Sequence, residues 1–273
     1  MAGRTAIPVL AVLVVLGVLP WIIAAAPANP GDAAAMQSIA NTTGAAKSLG
    51  WGVKSADPCD GAWAGVSCDG AGCVTSIRAS RAGLVGWLHA PDLSKLTFLA
   101  ELDLGFNGLI GQTGGDLPLL PAPSTSAPST SAPTASSTLR SFSANNISLS
   151  PFPDYLGSTA VFPALESLSL AGNALHGAIP AVFGSNSNIK LLDVGGQSSI
   201  LTGRIDQLIA GMTSLVEVRL DHNSFFGPLP DATNLVNLRV FDAAGNNLCG
   251  VPKFASTVSV DVSANPRIGK PCG

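Results

Sequence analysis

The amino-acid sequence predicts an α/β solenoid in which short parallel strands stack, turn upon turn, along one face of a horseshoe. One pattern recurs along the chain, and its best copy begins at Leu165 and runs LESLSLAGNALHGAIP. Leu168 and Leu170 in this copy alternate with polar residues, as in a strand with one buried face. Asn173 follows at the turn, where an amide side chain can bond backbone groups that no strand pairs.

Copies of this pattern follow one another, as they must, because a single unit cannot bury its apolar face alone. They start at Val74, Leu99, Leu139, Leu165, Ile189, Leu215 and Leu238. The spacing L-x-x-L-x-L-x-x-N-x-L is that of leucine-rich repeats. Ala82 and Gln197 stand at the Asn position of their copies, and the copy at Leu139 is irregular after Ala144. We therefore predict a leucine-rich-repeat horseshoe of about seven turns, with short parallel strands on its concave face.

The apolar N-terminus, residues 1–28, predicts a secretory signal peptide. Arg4 precedes a long apolar run, and Ala26-Pro27-Ala28 supplies small residues for cleavage. The alternative is a signal anchor, since the run is long enough to span a bilayer. We expect a secreted protein of the apoplast or cell surface. Membrane association would come only through a partner or an uncleaved anchor.

The cysteines predict capped ends in an oxidising compartment. Cys59 and Cys68 lie close together near the start of the mature chain, and Cys249 and Cys272 lie near its end. From these positions we infer two disulfides, one in an N-terminal cap (29–73) and one in a C-terminal cap (253–273). Cys73 is left over, and its pairing stays open.

Two smaller features belong to the N-terminal cap and the irregular copy. The segment 32–40 predicts a short helix with Asp32 as its N-cap. Asn41 and Asn146 begin N-x-Ser/Thr sequons, so we expect both on the surface as glycosylation acceptors.

A low-complexity insert divides the repeats into the segments 74–111 and 139–252. Residues 112–138 contain a Pro/Ser/Thr/Ala tract in which PSTSA recurs, too poor in apolar residues to pack. It is interpreted as a loop bulging from the solenoid or an error in the exon structure. The alternative is a glycosylated tract that separates the two halves.

Charge and motifs argue against several classes of function. With 14 Lys and Arg against 17 Asp and Glu, the net charge of −3 does not favour nucleic-acid binding. The three histidines lie in different repeats, and neither H-E-x-x-H nor G-x-S-x-G is present. We predict a non-enzymatic protein with no catalytic residues, metal site or cofactor.

The exposed strand positions of the concave face are the candidate partner-binding residues, since a solenoid usually binds there. The positions chosen are Arg78, Asp103, Phe106, Asp193, Arg219, His222, Arg239 and Asp242. Asp193, Arg219 and Asp242 occupy equivalent positions in adjacent copies and should form a row of alternating charge. For any one residue, the alternative is an ordinary solvated charge with modest salt bridges. The predicted partner is a peptide or protein, including a receptor-kinase ectodomain.

Several passages resemble a known plant family. Trp51 and the run DPCDGAWAGVSCDG resemble the N-terminal cap of plant extracellular leucine-rich-repeat proteins. With VTSIRASRAGLVGWL, LRSFSANNISLSPFPDYLG, LLDVGGQSSILTGRI and VEVRLDHNSFFGPLPD, the chain resembles the first leucine-rich block in the ectodomain of TMK-type (transmembrane kinase) receptor-like kinases. The resemblance covers most of residues 30–273. It implies a cell-surface recognition module in a family linked to auxin and growth signalling.

The chain departs from this family pattern in ways that leave alternatives open. The insert stands where regular repeats would lie, the second repeat block is missing, and no membrane span or kinase follows. One alternative is an incomplete gene model of a TMK-like receptor kinase, which would place the protein in the plasma membrane. Another is an apoplastic defence protein that inhibits polygalacturonase, because NNLCG at 246–250 resembles the C-terminal cap of those inhibitors.

Overall fold

The computed structural model describes residues 26–110, 138–152, 154–184 and 187–272. The predicted signal peptide (1–28) lies almost wholly outside the described residues, and so does the predicted insert (112–138). The strands, in chain order, are β1 Val66–Cys68, β2 Val74–Arg78, β3 Val85–Gly86, β4 Glu101–Asp103, β5 Gly108–Leu109, β6 Ser141–Ser143, β7 Ser167–Ser169, β8 Gly177–Ala178, β9 Leu191–Asp193, β10 Leu201–Arg204, β11 Glu217–Arg219, β12 Ser224–Pro228, β13 Val240–Asp242, β14 Asn247–Gly250, β15 Ser259–Asp261 and β16 Arg267–Ile268. The helices are α1 Pro30–Thr42, α2 Ala45–Ser48, α3 Ala90–Leu93 and α4 Asp206–Gly211, with 3-10 turns at Asp154–Gly157 and Ala181–Gly184.

The predicted solenoid is confirmed. Nine of the strands described above form the concave sheet in the order β1-β2-β4-β6-β7-β9-β11-β13-β15, and all neighbours run parallel except the cap strand β1. Each of the seven predicted copies supplies one strand, and β15 continues the sheet into the C-terminal cap. Helices are few in the part of the chain that the structure describes, so the outer side of the horseshoe there is mainly short turns and extended segments.

The inward leucine positions of the concave strands form the core. Their side chains are at most 1% exposed: Ile77, Leu102, Phe142, Leu168, Leu192, Val218 and Phe241. Register partners such as Leu168 and Leu192 stack directly across the parallel strands. Because each turn buries its apolar row against the next, the whole solenoid shares one core.

The Asn position explains how the tight turns satisfy their backbone. Asn173 donates through Nδ2 to the carbonyls of Ala144 and Leu170, at 2.9 and 2.8 Å. Its Oδ1 accepts from the amides of Ile147 and Leu149, at 2.9 and 3.1 Å. One side chain therefore bonds its own turn and the preceding turn, and it is only 1% exposed.

Gln197 performs part of the same task in its copy. Its Nε2 donates to the carbonyls of Leu170 and Val194, each at 3.0 Å, and its Oε1 accepts from the amide of Leu175. The turn of this copy is longer than the others, so Oδ1 of Asn223 in the next copy finds no backbone N–H donor within reach in the part of the chain that the structure describes. Within the described residues, Asn223 Oδ1 is the buried side-chain atom left without a hydrogen-bond partner.

Both ends of the horseshoe are capped. Trp51 and Trp63 are 1% and 2% exposed and stack with ring centres 5.6 Å apart. The Cys59–Cys68 disulfide closes the N-terminal cap, and Cys249–Cys272 ties the C-terminal segment to β14. Cys73 is a free, buried thiol.

The predicted helix N-cap is placed differently in the structure. Helix α1 begins earlier than predicted, and Asn29 is its N-cap, with Oδ1 accepting from the amide of Gly31 at 2.9 Å. Asp32 instead accepts from the amide of Val74 at 2.8 Å, which ties the helix to the first repeat. In the first repeat, Trp87 is 43% exposed and stacks on His89.

Removing the C-terminal disulfide is expected to destabilise the fold. The bond spans 23 residues, so its loss in a Cys249→Ala, Cys272→Ala variant should lower the free energy of unfolding by about 3 kcal/mol, because the unfolded chain regains loop entropy. Urea unfolding of the oxidised protein measures the change. Cys73→Ala, which breaks no bond, is the control. Equal midpoints for the double variant and the unmodified protein would contradict the role of this disulfide.

Candidate ligand-binding face

The exposed side chains of the concave sheet lie in rows that cross the strands. Parallel register places Arg219 opposite Asp193 on one side and opposite Asp242 on the other. The expected row of these three residues is therefore present. The full row contains Arg78, Asp103, Ser143, Ser169, Asp193, Arg219, Asp242 and Asp261. Sequence reasoning missed Asp261, although the alternation of Val258, Val260 and Val262 already indicates a further strand.

The aspartates of this row share a structural task. One carboxylate oxygen of each accepts a backbone N–H two residues further on: Gly105 for Asp103, Gly195 for Asp193, Ala244 for Asp242 and Ser263 for Asp261. These bonds close the end of each strand. In the described residues, the second oxygen of Asp103 and of Asp242 makes no hydrogen bond, so it remains available on the face.

The arginines of the row are paired within the face. Arg78 donates to both carboxylate oxygens of Glu101, at 2.7 and 2.6 Å, and this hydrogen bonding lowers the pKa of Glu101. Arg219 donates to Glu217 on its own strand at 2.6 Å instead of to Asp193 or Asp242. Such exposed pairs contribute little to stability. They do hold the guanidinium groups in fixed orientations.

The carboxylate of Asp193 is partly buried and has a raised pKa. Burial raises its pKa, while bonds from the Gly195 amide and the Ser169 hydroxyl act in the opposite direction. The carboxylate lies between Ser169 and Arg219 in the row, near the middle of the face. A ligand cation that reached this partly desolvated carboxylate would bind it more strongly than a fully exposed one.

The position before each Asn site has left-handed backbone. In four copies it is occupied by Arg81, Phe106, Asn146 or His222, with φ between 51° and 58°. Glycine occupies it in other copies, at Gly172, Gly196 and Gly245. A bulky residue in this conformation costs energy that glycine would avoid. Phe106 is the largest of these residues and is 41% exposed, and the guanidinium of Arg81 lies 3.9 Å from its ring centre.

The remaining predicted site residues are Arg239, a candidate for partner binding, and the two glycosylation acceptors. Arg239 is exposed, but its guanidinium donates to the carbonyls of Val236 and Leu238 and so folds back on the loop before its strand. It adds charge beside the row without joining it. Asn41 and Asn146 are both exposed, and their glycosylation stays a prediction.

His222 should titrate above its ordinary range. Its Nδ1 lies 2.9 Å from Oδ2 of Asp221, and that hydrogen bond raises the pKa above 6.5, helped by the charges of Asp221, Asp242 and Asp261. The ion pair therefore stabilises the fold at low pH, and this contribution is lost as the pH rises through the native pKa. An NMR titration of the imidazole protons should give a midpoint above 6.5 that falls in Asp221→Asn. A midpoint unchanged by that substitution would contradict the pairing.

The described residues contain neither a metal site nor a membrane-spanning helix. No group of three or more His, Cys, Asp or Glu is placed there to hold a metal ion. None of the helices in that part of the chain is both long and apolar enough to cross a bilayer.

The fold and its capped concave sheet define a leucine-rich-repeat protein. Residues 29–69 match the family described as Leucine rich repeat N-terminal domain. The chain resembles the ectodomain of receptor-like kinases. It is 32% identical over 231 residues to receptor-like kinase TMK2 of Arabidopsis thaliana, covering 71% of this chain and 26% of TMK2. The chain thus spans about a quarter of the length of this relative.

Solved structures agree on the fold. The chain superposes on the structure of PEPR1-AtPEP1 with a TM-score of 0.61 at 24% identity, covering 81% of this chain and 29% of that one. It superposes on the plant peptide hormone receptor RGFR1, in complex with RGF2, with a TM-score of 0.54 at 25% identity. That match covers 71% of this chain and 31% of the receptor chain.

Proposed function

We propose that this protein is a non-enzymatic recognition module of the plant cell surface or apoplast, and that its concave face binds an extended peptide or a segment of a partner receptor ectodomain. The observation that carries the proposal is the row of charged side chains from Asp193 to Asp261, aligned by register and fixed by hydrogen bonds. An extended ligand can meet one side chain of this row per turn of the solenoid.

Four further facts support the proposal. Bulky residues occupy left-handed positions on this face, and such strain is typical of functional sites. Disulfide-closed caps suit an extracellular location. The RGFR1 structure, which has a similar fold, contains the peptide RGF2. The similarity to TMK2, of which this chain matches about a quarter, favours a role beside or within a receptor kinase.

The test is to select ligands and then remove single charges. The full chain, secreted with its disulfides intact, is panned against a random peptide library displayed on phage. Affinities of the selected peptides are then measured for Asp242→Asn and Arg219→Gln. The amide oxygen that Asp242→Asn introduces can still accept the N–H of Ala244, so this change removes the charge while keeping the strand end closed.

We expect at least one of these substitutions to weaken binding about tenfold or more, the size of effect that interface anchors give. Lys253→Gln, an exposed change away from the concave row, is the matched control and should leave the affinity unchanged. Failure to enrich any peptide, together with failure to bind a TMK-type ectodomain, would contradict the proposal. Peptides that bind both concave variants as tightly as the unmodified protein would contradict it as well.

A further inference from the structure

A second parallel sheet forms the flank of the solenoid, in the order β16-β14-β12-β10-β8. It carries a depression of about 520 Å³ that is separate from the concave face. The side chains that line it include Arg204, Phe226, Asn247 and Arg267, and the Cys249–Cys272 disulfide closes one end. None of these groups takes part in the recognition function proposed above.

The sheet register brings a cation, an aromatic ring and an amide into one row. Arg204 lies opposite Phe226, and Phe226 lies opposite Asn247 on the next strand. Adjacent strands are about 4.8 Å apart, so the row crosses roughly 10 Å of sheet. Phe226 is 45% exposed, and in the described residues the amide of Asn247 makes no side-chain hydrogen bond.

Arg204 is held in place for an incoming anion. Asp206, itself 9% exposed, accepts from its Nε and Nη2 at 3.0 and 2.7 Å. The side chain passes over Gly227, where a Cβ would lie 3.3 Å from Cγ of the arginine. Because Gly227 has no side chain, the Arg204 side chain can lie directly over it. Within the described residues, Nη1 of Arg204 makes no hydrogen bond.

Arg267 forms the opposite wall. Its Nη2 donates to the carbonyl of Pro271 at 3.2 Å, and in the described part of the chain it makes no ion pair. The turn that carries it is fixed by Cys272 and by a backbone bond from Gly250 to Lys270. Among the described residues that line the depression there is no carboxylate, and of its two lining arginines only Arg204 is paired with an acid, Asp206. With exposed Lys270 nearby on the same turn as Arg267, this edge favours an anion.

The depression continues beyond Arg204. A second hollow of about the same volume is lined by Ile179, Ala181, Gly184, Arg204, Gln207 and Leu208. The two hollows share Arg204 and therefore adjoin at this side chain, and we refer to them together as the flank groove. An occupant can therefore be longer than one small molecule.

We propose that this flank groove binds an acidic oligosaccharide, whose pyranose rings carry carboxylates. A pyranose packs its C–H face on an aromatic ring such as Phe226, its hydroxyls bond the Asn247 amide, and its carboxylates pair with the arginines. An acidic peptide fits less well. Strands β12 and β14 are each paired on both sides, so no edge of these two strands is open to serve a peptide backbone.

Calorimetric titration of the full, oxidised chain tests the proposal. The probe is an oligogalacturonate of defined length, and the neutral control is the same oligomer as its methyl ester. We expect the acid form to bind, and the ester to bind at least tenfold more weakly. Arg267→Gln and Phe226→Ser should each weaken binding at least tenfold. Both residues lie at the surface, and unchanged thermal midpoints would show that the variants fold.

Arg239→Gln, which removes a cation from the concave side, is the matched control and should bind as the unmodified protein does. No binding at millimolar oligogalacturonate would overturn the proposal, as would equal binding of acid and ester. Equal affinity in Arg267→Gln and Phe226→Ser would place any binding elsewhere on the protein. Tighter binding of polyglutamate than of oligogalacturonate would assign the groove to an acidic peptide instead.

Discussion

Asn173→Ala is expected to lower the free energy of unfolding by about 3–5 kcal/mol, because five backbone groups, among them the more weakly bonded carbonyl of Ala171, would lose their partners in a buried turn. The amides of Ile147 and Leu149 and the carbonyls of Ala144 and Leu170 all bond this side chain. With the side chain 1% exposed, water cannot easily replace these bonds. Urea unfolding followed by circular dichroism gives the difference.

Asn223→Ala is the matched control for that substitution. Asn223 bonds the carbonyls of Val194, Leu220 and Asp221 through Nδ2, but its Oδ1 has no partner in the described residues. Its replacement should therefore cost about half as much as that of Asn173. Equal losses at the two positions would show that the two amide bonds accepted by Oδ1 of Asn173 contribute nothing.

Phe106→Gly is expected to weaken binding of a concave-face ligand at least tenfold while changing stability by less than about 1 kcal/mol. The substitution relieves a left-handed φ of 58°, worth roughly 1–2 kcal/mol. It also gives up a cation–π contact with Arg81 and makes the unfolded chain more flexible, which together cost roughly the same. The ring is retained at this strained position although glycine serves in other copies, which favours a role in binding.

Ala264→Gly provides the control for Phe106→Gly. Ala264 has the equivalent left-handed position after the last concave strand, with φ of 54°, but it carries no large side chain. Its replacement should leave ligand affinity unchanged. If Phe106→Gly binds peptides selected on the unmodified protein with undiminished affinity, Phe106 has no role in ligand binding.

The regular features of this fold follow from sequence because they repeat. Leu168, Phe142 and Val218 occupy the same place in each copy, so one good copy predicts the buried row and the strand register. The register in turn predicts the row through Asp193 and Arg219. Whether those side chains contact a ligand stays a prediction.

Features that depend on one tertiary contact are not predictable in this way. Aspartate is a residue type that favours N-cap positions, yet Asp32 accepts from the amide of Val74 on the first repeat. Asn29 caps the helix instead. The flank groove combines Arg204 and Arg267, which are far apart in sequence and meet only through the second sheet. The left-handed conformation of Phe106 is indicated only indirectly, by glycine at the same position of other copies.

Photo-crosslinking tests the central claim, concave-face recognition, most directly. A selected peptide carrying benzophenone is irradiated with the full chain, and the attachment sites are mapped by mass spectrometry. We expect them on the exposed concave residues between Arg78 and Asp261, concentrated around Asp193, Arg219 and His222. Attachment mainly to the flank sheet or to the outer turns would contradict the account.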